Sequence, residues 1–123
     1  MGKIKTFRDL VIWQKSLSLV TEIYRLTSRF PHQEEFVMIS QIRRNAISIP
    51  RNIAEGFGRK SKLEFKRFLR IAAGSLFELQ TQLDISLNLN YIDLKDYQDI
   101  LALSREIERM ISAFENRLKI HKS

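Results

Sequence analysis

Four stretches of this sequence repeat their apolar residues at alternating intervals of three and four, and that spacing leaves the chain few folds to choose from. Leu10, Trp13, Leu17, Val20 and Tyr24 form the first row, and Ile39, Ile42, Ala46, Ile49 and Ile53 the second. Leu69, Ala72, Leu76, Leu79 and Leu83 form the third. Ile100, Leu103, Ile107, Met110 or Ile111, Phe114 and Leu118 carry the fourth. Such intervals keep side chains on one face of an α-helix and scatter them across both faces of a strand. With only two prolines and four glycines in 123 residues, the chain is too poor in turn formers for an all-β fold. Four helices joined by short breaks pack as antiparallel neighbours. The expected fold is therefore all-α, an up-down-up-down four-helix bundle forming a single domain over residues 1–123.

Local signals place the helix ends. Thr6, with Asp9 three residues on, is a start signal, and the first helix is expected over about 6–27. The second, over about 32–55, opens at Phe30-Pro31 with Glu34 and Glu35 in its first turn, where carboxylates complement the helix dipole. Pro50 lies inside it and is expected to remove a backbone hydrogen bond and kink or split the helix. Gly56 is the expected stop. Ser61 and Glu64 read as a capping box, the serine capping and the glutamate reaching back, for a third helix over about 61–89. Asp93 begins a fourth, to about 119. Apolar residues exceed what one core needs. Ile12, Leu19, Ile23 and Leu26 widen the first row, and Val11, Phe36, Met38, Phe57, Phe65, Phe68, Phe77 and Leu87 cannot all point inward. Several of them on one surface imply self-association.

The sequence offers little for catalysis. There is no cysteine, hence no disulfide, thiolate metal site or cysteine nucleophile, and the absence suits a reducing compartment. His32 and His121 have no ligand-spaced partners, and the Glu-x-x-His pairs of di-iron bundles are missing. Asp93, Asp96, Asp99, Glu106 and Glu108 read as helix-start and solvent-face charges. Gly56-Phe57-Gly58-Arg59-Lys60-Ser61 lacks the phosphate-loop spacing and follows a helix, so it reads as a stop, a turn and a cap. Amides at the start of the third helix, beside Arg59 and Lys60, leave room for one phosphate oxygen. The charged opening Met-Gly-Lys-Ile-Lys-Thr-Phe-Arg-Asp lacks the apolar core of a secretory signal, and no stretch reaches the ~20 apolar residues of a membrane span. The expectation is a cytoplasmic protein that is no enzyme and needs no cofactor or metal.

Charge supplies the one functional signal. The net charge is +7, but residues 1–70 carry 15 Lys and Arg against 6 Asp and Glu, while residues 71–123 carry 6 against 8. Arg43, Arg44, Arg51, Arg59, Lys60, Lys62, Lys66, Arg67 and Arg70 crowd one segment, opposed by Glu55 and Glu64 alone. Lys62, Lys66 and Arg70, four apart, line one helical stripe, and antiparallel packing puts residues 51–66 at one end of the bundle. Such an array suits phosphates in a sequence-tolerant way, though a solvated face has the same composition. Phe57, Phe65 and Phe68 are interleaved with it, either to stack on unpaired bases or, as aromatics at helical spacing ordinarily do, to pack in the core. Arg43 and Arg44 are also placed to pair with acidic groups of a neighbouring subunit.

Three stretches carry a family resemblance. Gln41-Ile42-Arg43-Arg44-Asn45-Ala46-Ile47-Ser48-Ile49-Pro50-Arg51-Asn52-Ile53-Ala54-Glu55-Gly56-Phe57-Gly58-Arg59 resembles the signature of the 23S ribosomal RNA intervening-sequence protein family. Phe7-Arg8-Asp9-Leu10-Val11-Ile12-Trp13-Gln14-Lys15-Ser16 is similar to that family's opening, and Glu64–Leu79 to its third helix. The likeness runs from Phe7 to about Leu118, with Arg51 departing from the small residue expected after the proline. It implies a four-helix bundle assembled as a ring-like homopentamer. It also implies kinship with the accessory protein of diversity-generating retroelements, which binds nucleic acid and a reverse transcriptase through a basic surface. Two readings follow: a non-enzymatic oligomer contacting structured RNA or DNA through the basic surface of helices two and three, or a scaffold whose basic face docks a protein partner such as a reverse transcriptase.

Overall fold

The computed structural model describes residues 3–118. A 3₁₀ turn, Phe7–Asp9, leads into α1 (Val11–Thr27); a second, His32–Glu34, and a π turn, Glu35–Ile39, lead into α2 (Ser40–Gly58). Then come α3 (Lys62–Asn88) and α4 (Leu94–Arg117). Side-chain pairs give the directions. Asn45 meets Gln82 and Ser48 meets Ser75 across α2 and α3. Gln80 meets Glu108 while Arg70 meets Glu115 across α3 and α4. Lys15 of α1 meets Glu106 of α4, while Arg29, just past the end of α1, meets Asp96 near the start of α4. Rising numbers on one helix meet falling numbers on the next, as an up-down-up-down order requires. The fold is the all-α four-helix bundle that the periodicity predicts.

The second, third and fourth apolar rows point inward. Ile42, Ala46, Ile49, Ile53, Leu69, Ala72, Leu76, Leu79, Leu83 and Ile107 are wholly buried, and between Met110 and Ile111 it is Ile111 that fills the core. The first row is corrected in part: Leu10 is buried and Trp13 and Val20 pack against the core. The inward face of α1 is the second set, Ile12, Leu19, Ile23 and Leu26, whereas Leu17 and Tyr24 are 46% and 40% exposed. Two apolar rows compete on this helix, and its neighbours choose the one whose removal from water is complete. Buried Ser16 and Thr27 sit on that inward face, their hydroxyls donating to the Ile12 and Ile23 carbonyls.

The helix ends largely follow sequence chemistry. A full capping box forms at Thr6 and Asp9, though it caps the 3₁₀ turn ahead of α1. The Asp9 carboxylate accepts from the Thr6 and Lys5 amides, which lower its pKa. At α3 only half a box forms: Ser61 accepts from the Glu64 amide, but the Glu64 carboxylate turns to Arg67 at 3.6 Å. Asp93 caps α4 as expected, accepting from the Asp96 amide. Pro50 does not split α2. It lies buried inside a continuous helix, where Asn52 donates to both the carbonyl and the hydroxyl of Ser48 and bridges the turn the proline weakens. Gly56 is no stop either, since α2 runs on to Gly58 and Lys60 takes the left-handed backbone, φ 56°, that usually falls to glycine. Gly56 serves close packing: a Cβ there would lie 2.7 Å from the Phe68 Cβ on α3.

Candidate nucleic-acid interface

The nine basic residues singled out in the sequence fall into three neighbourhoods. At the α2–α3 end of the bundle, Lys60 and Lys62 line a concavity of about 360 Å³ with Gly58, Phe57 and Phe65. Lys5 joins them there, a cation more than fifty residues away in sequence that only the tertiary fold brings to the site. Lys60 reaches this place because its left-handed backbone reverses the chain between the two helices.

On α3, Lys66, Arg67 and Arg70 surround a shallow depression floored by Leu63 and Ile71. Arg70 is tied to Glu115 of α4 at 3.3 Å, so the Lys62-Lys66-Arg70 stripe borders the fourth helix. Arg67 and Arg59 both bring their guanidinium carbons over the Phe68 ring, at 5.4 and 5.2 Å, and each holds a carboxylate, Glu64 and Glu55 respectively. In all three pairs the arginine is exposed, and such surface pairs are worth about 0–1 kcal/mol each, little enough for a phosphate to compete for the arginine.

The third neighbourhood lies between α1 and α2, where Arg43, Arg44 and Arg51 line a groove of about 450 Å³ with Tyr24, Phe36 and Ile47. Arg43 is turned inward to its own chain: Nε donates to the Thr27 hydroxyl at 2.9 Å, and the guanidinium lies 4.3 Å from the Tyr24 ring centroid. Arg44 and Arg51, two helical turns apart, are exposed. Among the described residues no carboxylate lies within ion-pair distance of Arg43, Arg44, Arg51, Lys60, Lys62 or Lys66.

The interleaved aromatics resolve as core. Phe65 and Phe68 are buried, and Phe65 stacks edge-on with Phe57 and with Phe114 of α4 at centroid distances of 6.0 and 5.2 Å. The most exposed phenylalanine rings are elsewhere: Phe36 at 87% and Phe77 at 50%. Sequence reasoning counted Phe36 among residues that cannot all face inward, yet carried no signal that it sits beside Arg44. Leu63, Ile71, Phe77, Ile85 and Leu89 are also exposed and, at 100° per residue, fall within about 120° of one face of α3.

Among the described residues no three His, Asp or Glu side chains cluster as a metal site, and no helix is long and apolar enough to cross a membrane. Two further protonation shifts have local causes. Burial, then the nearby Glu34 carboxylate, raises the Tyr91 phenol, and a hydrogen bond to Asp84, then burial, raises that of Tyr97.

Comparison with known proteins agrees with the fold. A protein of unknown function from the S23 ribosomal protein family of Bacteroides thetaiotaomicron has a crystal structure that superposes with a TM-score of 0.77. It is 30% identical, and the match covers 85% of this chain and 98% of that one. No curated protein matches the sequence. A family model described as 23S rRNA-intervening sequence protein matches residues 8–113, taking in α1, α2, α3 and most of α4. This chain therefore belongs to the 23S rRNA-intervening sequence protein family.

Proposed function

We propose that this protein is a non-enzymatic, oligomeric nucleic-acid-associated protein that holds phosphates of structured RNA or DNA on its basic α2–α3 surface. The observation that carries the reading is the gathering of Lys5, Lys60 and Lys62 at one end of the bundle, with Lys66 on the same helix as Lys62 and no described carboxylate paired with the last three. Uncompensated ammonium groups raise the local potential and release counterions when phosphates bind. The family's name ties it to insertions in ribosomal RNA, which suits an RNA partner. A binding role rather than catalysis fits the titratable groups, since the shifted ones serve a helix cap and two tyrosine hydrogen bonds.

The apolar face of α3 supports self-association, because monomers rarely leave so long an apolar stripe in water. We take the homopentameric ring implied by the family resemblance as the assembly, in the cytoplasm. The same stripe favours the second reading, a scaffold whose basic face docks a protein such as a reverse transcriptase.

The test is fluorescence anisotropy with a structured RNA and a DNA duplex across a salt series. Wild type is compared with Lys60→Gln/Lys62→Gln/Lys66→Gln, three cations whose neutralisation breaks no ion pair of the described residues. Each phosphate that the variant no longer neutralises should flatten the log–log salt slope by about 0.9 on duplex DNA. Tight wild-type binding that weakens steeply with salt, and a flatter slope for the variant at unchanged mass, support the reading. A folded wild type that binds neither probe at low salt refutes it in favour of the scaffold.

A further inference from the structure

The groove between α1 and α2 has a composition that core packing does not call for. Its rim carries Phe36, 87% exposed, on the π turn ahead of α2. In an unbroken α-helix this residue would lie about 60° from Ile39 and about 120° from Ile42, at the margin of the buried face. The wider π turn, about one extra residue per turn, carries Phe36 further round, so it stands clear of the face that buries Ile39. Burying a phenylalanine is favourable, and here that gain is forgone in the free chain. Tyr24, Ile47, Arg43, Arg44 and Arg51 line the same groove. Arg43 is engaged by Thr27 and covers the Tyr24 ring, fixing that wall, while Arg44 and Arg51 present guanidiniums with no described carboxylate in reach. Glu35 is the one acidic group on the lining, beside His32 of the preceding 3₁₀ turn at 3.9 Å. Three guanidiniums against one carboxylate leave the groove positive.

We propose that this groove binds an unpaired nucleotide of single-stranded nucleic acid, its base stacked on Phe36 and its flanking phosphates held by Arg44 and Arg51. The inference rests on the nucleic-acid reading above and adds a second, base-dependent contact to it. The chemistry selects a single strand because bases inside a duplex already stack on each other, whereas a splayed base offers a free π-face to an aromatic ring. The guanidiniums then supply the charge complementarity that a purely apolar occupant would waste.

Anisotropy with three probes of one sequence tests it: an RNA strand of about 12 nucleotides, its duplex, and an abasic strand that keeps the phosphates. Wild type should prefer the base-bearing strand to the abasic one. Phe36→Ala should weaken that strand by about 5- to 150-fold, the range for one stacked base, while leaving the duplex within about twofold. Because Phe36 is exposed, the variant should keep wild-type helicity and mass. If wild type binds the strand and Phe36→Ala binds it equally well, the stacking proposal fails while the phosphate surface stands. Absence of any wild-type binding removes both. A changed oligomeric mass for Phe36→Ala would assign the ring to a subunit contact and overturn the proposal. So would Phe36-dependent binding of a Glu-rich peptide without binding of the strand.

Discussion

Replacing Gly56 by alanine should destabilise this protein even though alanine is the better helix former. At an open helical position the exchange is worth about 1 kcal/mol in favour of alanine. Gly56 is not open. The new Cβ would lie 2.7 Å from the Phe68 Cβ, 3.1 Å from the Phe65 Cδ1 and 3.4 Å from the Phe65 Cα. The nearest of these atoms is the root of a side chain, so no rotamer change moves it away. Relief requires α2 and α3 to part by roughly 0.7 Å, the distance needed to reach ordinary contact at 3.4 Å. That motion would strain a seam held by Ser48–Ser75 at 2.8 Å and Asn45–Gln82 at 2.9 Å. Overpacking of this kind costs about 1–3 kcal/mol, and the backbone-rooted contact puts it in the upper part of that range. The net loss is then about 1–2 kcal/mol, a fall in Tm of roughly 3–12 °C for a chain of this size. Gly74 is the internal control: a Cβ there meets nothing within 4 Å, so Gly74→Ala should gain about 1 kcal/mol. Thermal and urea unfolding followed by far-UV circular dichroism, at one protein concentration, measures both. A Gly56→Ala protein as stable as its parent would refute the close approach of α2 and α3, whatever Gly74→Ala does.

Two further outcomes follow from the core and from the tyrosines. Ile23→Ala should cost about 2–5 kcal/mol and Leu17→Ala within about 0.5, measured by urea midpoints; the reverse order would mean that α1 turns its other apolar row inward. The Tyr97 hydroxyl donates to Asp84 at 2.5 Å, and that bond keeps its pKa above the ordinary 10.0. A folded-state pKa raised above the unfolded one gives stability that is present below about pH 10 and lost as pH rises past it. Tyr97→Phe should therefore flatten the decline in urea midpoint between about pH 9 and 11. An unchanged decline would show that the phenol does not titrate against Asp84.

Helix number, helix class and most boundaries were legible in the sequence because they rest on local chemistry. Period-3.6 rows at Ile42–Ile53 and Leu69–Leu83 bury the same residues they announce, and Asp93 caps the helix it precedes. The basic segment was legible for the same reason, since charge is counted along the chain. Local chemistry could not choose between the two apolar rows of α1, because both satisfy one period and only the neighbours decide which loses its water. Pro50 was legible as a proline inside the second helix, but whether it would split that helix was not, since burial and the Asn52–Ser48 bonds that hold the turn together come only with the fold. Gly56 read as a terminator because glycine's backbone freedom is visible in sequence, while the nearness of Phe68 exists only once α2 lies against α3. The site divides in the same way. Sequence placed nine cations in one segment; folding spread them over three neighbourhoods, brought Lys5 to one of them, buried Phe65 and Phe68, and turned Phe36 outward beside Arg44 and Arg51. A helix samples every direction within one turn, so residues adjacent in sequence part on its surface, and distant ones meet only where helices pack.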